Sequence, residues 1–273
     1  MKTWQEIIHR YHIKYYNQIS KTVKPIYNNF AITCVDYVKI YNDSKFLYLT
    51  NRPECAEYYA SEQLFRTDPY FRHPDSHQKG FFWIGSKGSN DFKSSICKMS
   101  NKFNLHSPVV FIEKGSNYVE MFCFSGEKSE ILQILYFQHS QLLRLFAAHF
   151  KKELGSLLNK MEEEAFSLID LQGEYFYTGI NQAPAIKTES LHAYLIALGK
   201  KTEIKRASSL SHRERDCLRL LLHGNTAKDS AIELHLSPRT IESYFENIKN
   251  KLNCSNKHEL FSIAADFETL GLL

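Results

Sequence analysis

The sequence predicts an α+β fold in two parts, an N-terminal α-β-α sandwich of about five antiparallel strands and a C-terminal all-α domain of four helices. Two observations predict this division. Runs of β-branched and aromatic residues, typical of strands, lie within residues 30–124 and mostly come in pairs separated by turn residues. After residue 127 the apolar residues recur at helical spacing instead. Paired strands between helical segments favour an antiparallel sheet enclosed by helical layers.

The first predicted element is a helix over residues 4–23, because its apolar side chains share one face. Two strands follow, at residues 30–42 and 45–50, with turn residues between them. Proline is favoured at the first position of a helix, so we expect a short helix to begin at Pro53.

A polar loop then leads to a third strand at residues 81–84 and to a helix at 91–103, which has an apolar face. Strands at 107–114 and 117–124 are joined by a tight turn. Residues 127–166 are strongly helical and form two helices or one long bent helix. This order of elements predicts a PAS/GAF-like sandwich.

The predicted domain boundaries are residues 1–169 for the sandwich, 170–205 for a linker and 206–273 for the helical domain. Regular periodicity is lost over residues 170–209, although the segment 191–198 also fits a short helix. A chain of 273 residues is long enough to form two such domains, each with its own core.

Composition argues against several classes of protein. The most apolar stretch, residues 142–150, is interrupted by Arg144 and His149, so no transmembrane segment is predicted. The N-terminus is amphipathic and charged, unlike a secretory signal. Six cysteines lie far apart without metal-ligand spacing, which indicates free thiols in a reducing compartment. We therefore expect a cytoplasmic protein without a membrane segment, a metal site or a cofactor.

Catalytic motifs such as HExxH, GxSxG and a glycine-rich phosphate loop are absent from the sequence, so we expect that the protein is not an enzyme. A phosphate-accepting receiver domain is also excluded, because Asp36 lies within a predicted strand and has no acidic neighbour. The aromatic share of 14% is high. Aromatic side chains fill cores, but they also line pockets for amphipathic ligands.

The C-terminal segment has a succession of helix caps and stops. Gly224 ends the first helix, and only the residues 235–237 separate the second helix from the third. The residues suited to N-capping the four helices are Ser211, Thr226, Ser237 and Asn256. Two short helices joined by so tight a turn describe a helix-turn-helix, whose second helix enters the major groove of DNA. The small Ala231 beside the turn permits the two helices to cross closely.

The third of these helices is amphipathic, with an apolar face formed by Ile241, Phe245, Ile248 and Leu252. Residues on its polar face are predicted to meet base edges: Glu242, Ser243, Glu246 and Asn247. Other residues are placed to hold DNA phosphates: Thr226, Lys228, Arg239, Thr240, Lys249 and Lys251. The alternative interpretation is a solvated face on an ordinary helical domain.

Residues 210–252 resemble the DNA-binding domain of LuxR-type transcription regulators. The matching positions are Leu210, Arg213, Glu214, Gly224, Thr226, Ala231, Ser237, Thr240, Lys251 and Leu252. Ser230 departs from the pattern, since an apolar residue is usual there, and so does Tyr244, where His is common. The resemblance implies binding to double-stranded DNA. Residues 206–273 contain nine Lys or Arg and nine Asp or Glu, so we expect weak non-specific binding or a need for two modules.

The segment 50–83 resembles the signal-binding core of acyl-homoserine-lactone receptors in the same family. Its matching residues are Tyr59, Asp68, Pro69 and Trp83, whereas Cys55 stands in place of a tryptophan. The resemblance implies that Asp68 accepts a hydrogen bond from the ligand's amide and that the Tyr59 hydroxyl meets its acyl carbonyl. The family's tryptophan donates to the lactone carbonyl, and a thiol is a poor donor by comparison. Pro108 stands where the family usually has glycine.

These departures favour a related non-lactone ligand, or no ligand, over a standard acyl-homoserine lactone. The bland alternative is that Tyr59 and Trp83 only pack in the core and that Asp68 begins a turn. Four apolar residues of the long helices, Leu142, Leu145, Phe146 and Phe150, either form a dimer surface or cover the sheet. The sequence thus predicts a homodimeric transcription regulator that senses a small amphipathic signal. Its alternative is a ligand-independent regulator whose N-terminal domain binds another protein.

Overall fold

The computed structural model describes residues 4–180 and 186–273. The chain forms two compact units, Met1–Ala183 and Pro184–Leu273. No helix in these described ranges is both long enough and apolar enough to cross a membrane.

The first unit contains helices and a single sheet, as predicted. Its α-helices are α1 (Trp4–Ile7), α2 (Tyr16–Phe30), α3 (Pro53–Ser61), α4 (Asn90–Phe103), α5 (Ser129–Gln138), α6 (Ser140–Glu153), α7 (Gly155–Glu163) and α8 (Leu168–Gln172). A π-helical segment spans Ile8–Ile13, and 3-10 segments span Leu64–Arg66, Pro74–Ser76, Ile84–Ser86 and Gly173–Tyr177. The strands are β1 (Ile32–Tyr41), β2 (Lys45–Thr50), β3 (Gly80–Trp83), β4 (His106–Lys114), β5 (Tyr118–Gly126) and β6 (Phe166–Ser167).

The six strands form one antiparallel sheet in the order β3-β4-β5-β1-β2-β6. The α+β prediction is therefore confirmed, with five strands where strands were expected. The sixth, β6, was not predicted. It has two residues and pairs only with the start of β2, through Phe166 opposite Phe46, and so short a strand has no alternation of its own.

The two faces of the sheet have different surroundings. Tyr37, Phe122 and Phe124 point from one face towards α6, where their rings contact Phe146 and Phe150. The alternate residues of β1 and β5 point to the other face. There they line a cavity shared with residues of α3 and α4. One face of the sheet is thus a packed aromatic core, and the other is part of a binding site candidate.

Two element boundaries differ from the sequence prediction. The helix expected to end at residue 23 continues as α2 to Phe30, because Ile26 extends the buried stripe of Ile19 and Val23. Residues 30 and 31 therefore do not belong to the first strand, and Ala31 ends the helix in a left-handed conformation at φ 54°. The helical segment 127–166 forms three helices, α5, α6 and α7, rather than two.

The second unit is entirely helical over its described residues. Its helices are α9 (Thr188–Ala197), α10 (Lys201–Ser208), α11 (His212–Leu222), α12 (Ala227–Leu234), α13 (Pro238–Leu252) and α14 (Lys257–Thr269). The last four are the predicted helices. Within the segment predicted as a linker, α9 and α10 pack on the core of this unit through Leu195 and Ala207. Residues 181–185 of that segment lie outside the described residues.

Candidate functional site: a helix-turn-helix surface and a buried cavity

The four helices of the C-terminal region begin at capped positions. Ser211 Oγ accepts from the N–H of Glu214 at 3.3 Å, and Thr226 Oγ1 accepts from the N–H of Asp229 at 3.2 Å. Both acids also accept a hydrogen bond from the backbone of their cap, which completes two capping boxes. The capping side chains in chain order are Ser211, Thr226, Ser237 and Asn256. These local interactions fix the starts of all four helices where the sequence predicted them.

The turn between α12 and α13 is short and closely packed. His235 adopts a left-handed conformation at φ 55°, and the N–H of Leu236 donates to the carbonyl oxygen of Ala231 at 2.8 Å. Ala231 itself is buried against the neighbouring helices. The predicted helix-turn-helix geometry is therefore present, with a small residue where the two helices approach.

Helix α13 has one buried face and one exposed face. Ile241, Ile248 and Leu252 are buried in the core of the unit. The residues predicted to meet base edges all lie on the exposed face: Glu242, Ser243, Glu246 and Asn247. The polar face of α13 is thus available to a duplex as far as its own unit is concerned.

The predicted phosphate contacts differ in how far they are already engaged. Lys228 and Arg239 are exposed. Lys249 Nζ lies 2.6 Å from Glu246 Oε1, and the Thr240 and Ser237 hydroxyls are 2.8 Å apart. The Thr226 hydroxyl, although exposed, belongs to the capping box of α12. Among the described residues, Lys228 and Arg239 form no ion pair within 4.0 Å.

Lys251, one of the residues that match the LuxR-type pattern, forms an ion pair within its own unit. Its Nζ lies 2.8 Å from Oε2 of Glu214, whose side chain is 5% exposed. Burial by itself would raise the pKa of Glu214, but hydrogen bonds from Lys251 and from the Ser211 backbone lower the pKa below its ordinary value. This bridge ties the start of α11 to the end of α13. A phosphate contact by Lys251 remains a prediction.

A cavity of about 110 Å³ lies in the first unit between the sheet and the helices α3 and α4. Its lining is mostly apolar and aromatic, with a few polar groups. The lining residues are Asp36, Val38, Tyr48, Tyr59, Asp68, Tyr70, Phe71, Ile84, Ile96, Met99, Ser100, Leu105, Pro108, Val110, Met121, Cys123 and Ser125. An apolar cavity with few convergent polar groups is the usual form of a small-molecule site.

Asp68 is buried in the cavity wall and has the donors that a buried carboxylate requires. Tyr59 donates its hydroxyl hydrogen to Oδ2 at 2.6 Å, and the N–H of Tyr70 donates to Oδ1 at 2.7 Å. Burial raises the pKa of Asp68 to about 6, although both hydrogen bonds and the charge of Arg72 oppose the rise. Each carboxylate oxygen can accept a second hydrogen bond, so Asp68 can still receive one from a ligand.

Asp36 is a second acid in the same wall, partly buried, and the sequence reasoning missed it as a site residue. Burial raises its pKa, against the hydrogen bonds that it accepts. The Tyr48 hydroxyl donates to Oδ1 at 3.3 Å. A signal was present in the sequence, because an acid in the middle of an apolar strand calls for an explanation. It was weighed only as a phosphate acceptor.

The other three predicted ligand residues are not in the cavity lining. Cys55 is buried beside Cys34 and Leu105. Pro69 is buried and packs near Gly88, where an added Cβ would lie 3.3 Å from its ring. Trp83 is 38% exposed and packs against Tyr136 at 5.6 Å between ring centroids. Only Tyr59 and Asp68 are brought together, and Pro108, the second departure from the pattern, does line the cavity.

Comparison with known proteins matches residues 208–264 to the family described as bacterial regulatory proteins, luxR family. The transcriptional regulatory protein YvfU of Bacillus subtilis, described as uncharacterized, is 44% identical over 57 residues, which are 21% of this chain and 28% of that protein. The transcriptional regulatory protein FixJ of Azorhizobium caulinodans is 40% identical over 60 residues, which are 22% of this chain and 28% of that protein. The quorum sensing-dependent transcriptional regulator VjbR of Brucella ovis is 45% identical over 67 residues, which are 24% of this chain and 25% of that protein. The chain thus spans about a quarter of the length of these relatives.

Two solved structures are similar over most of this chain at low scores. A crystal structure of Escherichia coli SdiA covers 100% of this chain and 92% of its own, with 17% identity and a TM-score of 0.35. A structure of SdiA in complex with octanoyl-rac-glycerol covers 97% and 88%, with 17% identity and a TM-score of 0.33. Scores this low support no inference about this chain. The match over residues 208–264, on the capped helices described above, shows that the chain carries a C-terminal helix-turn-helix domain of the luxR family of bacterial regulatory proteins.

Proposed function

We propose that this protein is a DNA-binding transcription regulator whose N-terminal unit senses a small molecule and controls promoter binding. The observation that carries the proposal is the exposed polar face of α13, which follows a capped helix and a tight turn within the luxR-family match. In a helix-turn-helix this face lies in the major groove and meets base edges. Asn247 suits adenine, and the carboxylates of Glu242 and Glu246 suit the amino group of cytosine.

Charge supports a dimer as the DNA-binding species. Residues 206–273 have equal numbers of acidic and basic side chains, so a single module has little general attraction to phosphates. Lys249 is also engaged by Glu246. Two modules on one pseudo-palindromic site double the phosphate contacts, and they explain how so neutral a domain reaches useful affinity.

Selection from a random duplex library, followed by footprinting of the full chain, tests the proposal. We expect a pseudo-palindromic site bound at least a thousandfold more tightly than random DNA, within the roughly 10³–10⁷ range of specific binders. The matched variants are N247A, on the exposed face of α13, and N101A, on the exposed surface of α4. A weaker preference for the selected site in N247A, with the preference of N101A unchanged, supports the proposal. Equal binding to all sequences at moderate salt contradicts it.

The cavity supports a ligand with an apolar part and at least one N–H or O–H donor. The carboxylates of Asp36 and Asp68 face it, and no lysine, arginine or histidine is in its lining. At about 110 Å³ it is smaller than typical ligand pockets, which measure roughly 300–1,000 Å³. A compact ligand, or a longer one that displaces part of the aromatic lining, fits this volume. An acyl-homoserine lactone supplies the amide donor, but Cys55 lies outside the lining, so no tryptophan-like donor meets its lactone group.

Native mass spectrometry of the protein purified from its own cells reports bound ligand and subunit number in one measurement. We expect a co-purified small molecule in the wild-type chain, and its loss in Asp68→Asn and in Tyr59→Phe. Asp91→Asn serves as the control, because Asp91 is exposed on α4 and lies outside the cavity lining. A ligand retained equally by all variants contradicts the assignment of the cavity as the sensor site.

We propose the apolar face of α5 and α6 as the homodimer surface of the N-terminal unit. Phe137 is 76% exposed and Leu145 67% exposed, and a groove beside them is lined by Leu142, Phe146 and residues of α2. Clusters of exposed large apolar side chains are unusual on monomers and mark contact surfaces. Leu145→Glu is expected to give a monomer in sedimentation experiments. The control Ile13→Glu, at an exposed residue outside this groove, leaves the dimer intact.

The same apolar face also favours the second candidate function, a ligand-independent regulator whose N-terminal unit binds another protein. The two candidates differ in their dependence on Asp68. If no small molecule co-purifies and Asp68→Asn leaves DNA binding unchanged under all conditions, the interaction module is the better explanation. If Asp68→Asn changes how DNA binding responds to a cell extract, the small-molecule sensor is the better explanation.

A further inference from the structure

A second group of buried polar atoms lies outside the cavity lining, in the segment between Asp68 and α4. Nε of Arg72, both ring nitrogens of His77 and Nζ of Lys87 are buried, and none has a hydrogen-bond partner among the described residues. The whole His77 side chain is nearly inaccessible, at 3% exposure. Buried polar groups in folded proteins are almost always paired, so three neighbouring exceptions need an explanation.

Two of the three side chains lie at the ring of Tyr70, and Arg72 follows Tyr70 by two residues in the chain. The His77 ring is stacked on it, with 6.4 Å between centroids and an angle of 19° between planes. Lys87 Nζ lies 5.6 Å from the centroid of the same ring and 5.1 Å from that of Phe82. The pKa of His77 is lowered to about 3, mainly by burial; the charges of Lys87, Lys114 and Arg72 contribute to the decrease, and the Arg72 backbone opposes it. Lys87 and Arg72 are therefore both close to the imidazole.

The acids near this group are already engaged. Asp68 accepts from Tyr59 and from the Tyr70 backbone on the cavity side. Asp75 lies 3.7 Å from Lys114 and 3.6 Å from His73. In the described part of the chain no acid forms an ion pair with Arg72, His77 or Lys87.

The guanidinium of Arg72 is held by Tyr175, and this contact does not use its Nε–H donor. Its guanidinium lies 4.4 Å from the centroid of the Tyr175 ring, and Nη2 donates to the Tyr175 hydroxyl. A Cβ at position 179 would come within 2.9 Å of Nη1, so Gly179, at φ 79°, makes room for the guanidinium. The arginine is therefore held on Tyr175, and its Nε is buried without a hydrogen-bond partner among the described residues.

We propose that Arg72, His77 and Lys87 form a binding site for a small oxyanion of the phosphate type. Nε of Arg72 and Nζ of Lys87 would each donate a charge-assisted hydrogen bond to an anion oxygen, and a His77 ring nitrogen would supply a third donor. The anion would offset the repulsion between the positive charges of Arg72 and Lys87. This site is separate from the Asp36–Asp68 cavity, and it does not depend on the proposed function.

Calorimetric titration of the full chain with inorganic phosphate, at constant ionic strength in chloride, tests the site. Phenyl phosphate is titrated in parallel to distinguish a free ion from a phosphate ester. The variants are Lys87→Met, which removes the buried ammonium, and Lys93→Met, which removes an exposed one from α4. Thermal melting is recorded for each protein with and without phosphate, because a ligand of the native state raises the melting temperature.

We expect millimolar or tighter binding of at least one of the two anions to the wild type and to Lys93→Met, and binding at least tenfold weaker in Lys87→Met. Tighter binding of phenyl phosphate indicates an organic phosphate as the natural ligand, and tighter binding of inorganic phosphate indicates the free ion. In chloride alone Lys87→Met should melt no lower than the wild type, because it loses an unpaired buried charge. If Lys87→Met does not fold, His77→Gln is titrated instead and should bind several-fold more weakly. Equal binding by the folded variants and the wild type, or no binding of either anion, overturns the proposal.

Discussion

The two units of this chain present their candidate functional residues in opposite ways. In the C-terminal unit the predicted base-contacting residues are exposed and lie on a helix whose other face forms the core. In the N-terminal unit Asp68 is buried and Asp36 is partly buried in a cavity wall, and both accept hydrogen bonds from tyrosine hydroxyls. Substitutions on the exposed polar face of α13 should have little effect on the stability of the fold. Substitution of a buried carboxylate does change stability, because its charge is removed from water in the folded state.

The largest expected effect follows from the buried side of this comparison. The pKa of Asp68 is raised from an ordinary 3.8 to about 6, so between these pH values the folded state binds more protons than the unfolded state. The free energy of unfolding therefore decreases as pH rises through this window. In Asp68→Asn this loss is absent. The stability difference between variant and wild type should grow by roughly 2.4 kcal/mol from pH 4 to pH 7, since one pKa unit corresponds to about 1.4 kcal/mol and pH 4 already lies just above the unfolded pKa.

Urea denaturation of both proteins across this pH range measures the difference, and Asp91→Asn provides the exposed control. Asp36 also has a raised pKa, so part of the pH dependence remains in Asp68→Asn and only the difference between the proteins is diagnostic. A difference that stays constant from pH 4 to pH 7 would show that the charge of Asp68 is not destabilising. The contrast between the two units would then be lost.

The units also differ in how much the sequence could predict. The helices of the C-terminal region are specified locally, because Ser211, Thr226, Ser237 and Asn256 each cap their own helix within four residues. Short-range signals of this kind are readable without the fold. The exposed face of α13 follows from its period in the same way. The capping and the exposure of this face were therefore predictable from the sequence, and the DNA contacts of its residues stay predictions.

The cavity depends on contacts between distant segments, and these were less predictable. Tyr59 and Asp68 are on neighbouring segments and were found through their spacing, but Asp36 joins them only because β1 lies at the centre of the sheet. Trp83 is the opposite case, because it was predicted as a ligand contact and does not line the cavity. On the edge strand β3 its side chain turns away from the cavity towards α5, and a one-residue change of facing is invisible to a spacing match. The short strand β6 and the extension of α2 likewise depend on tertiary pairing.

The next effect concerns the two kinds of contact on the exposed surface. Asn247→Ala removes a side chain suited to adenine, so we expect about 1–3 kcal/mol less discrimination at one base position with the salt dependence unchanged. Lys228→Ala should weaken binding about equally for all sequences and reduce the slope of log affinity against log salt by about 1. Titrations of specific and random duplexes at several salt concentrations separate these outcomes. The same pattern of loss in both variants would contradict the division into base and phosphate contacts.

A smaller effect is expected where the exposed unit contains its own buried acid. Glu214→Gln weakens the bridge to Lys251, and we expect a loss of about 1–2 kcal/mol of unfolding free energy at pH 7, as for a hydrogen bond to a charged group. The pKa of Glu214 is lowered in the folded state. Its contribution is therefore complete above its unfolded pKa and is lost as pH falls through the folded value. Glu203→Gln removes an ion pair between α10 and the preceding Lys200; it is the comparison and should change stability less than Glu214→Gln does, because this pair is solvent-exposed. Stability of Glu214→Gln equal to that of the wild type at pH 7 would leave Lys251 free to act on phosphate alone.

The smallest effect is a gain. Ser230 stands where the luxR pattern usually has an apolar residue, and in the structure it is completely buried, with no hydrogen-bond partner for its Oγ among the described residues. Ser230→Ala removes a buried hydroxyl and improves helix propensity, so we expect about 1 kcal/mol more unfolding free energy. Ser208→Ala, at an exposed position on α10, gains only the propensity part, about 0.5 kcal/mol. Denaturant titration of the two variants isolates the burial effect as their difference. A negative difference would show that the hydroxyl has a stabilising partner in solution, and that the interior of this unit tolerates a polar group as the cavity wall of the other unit does.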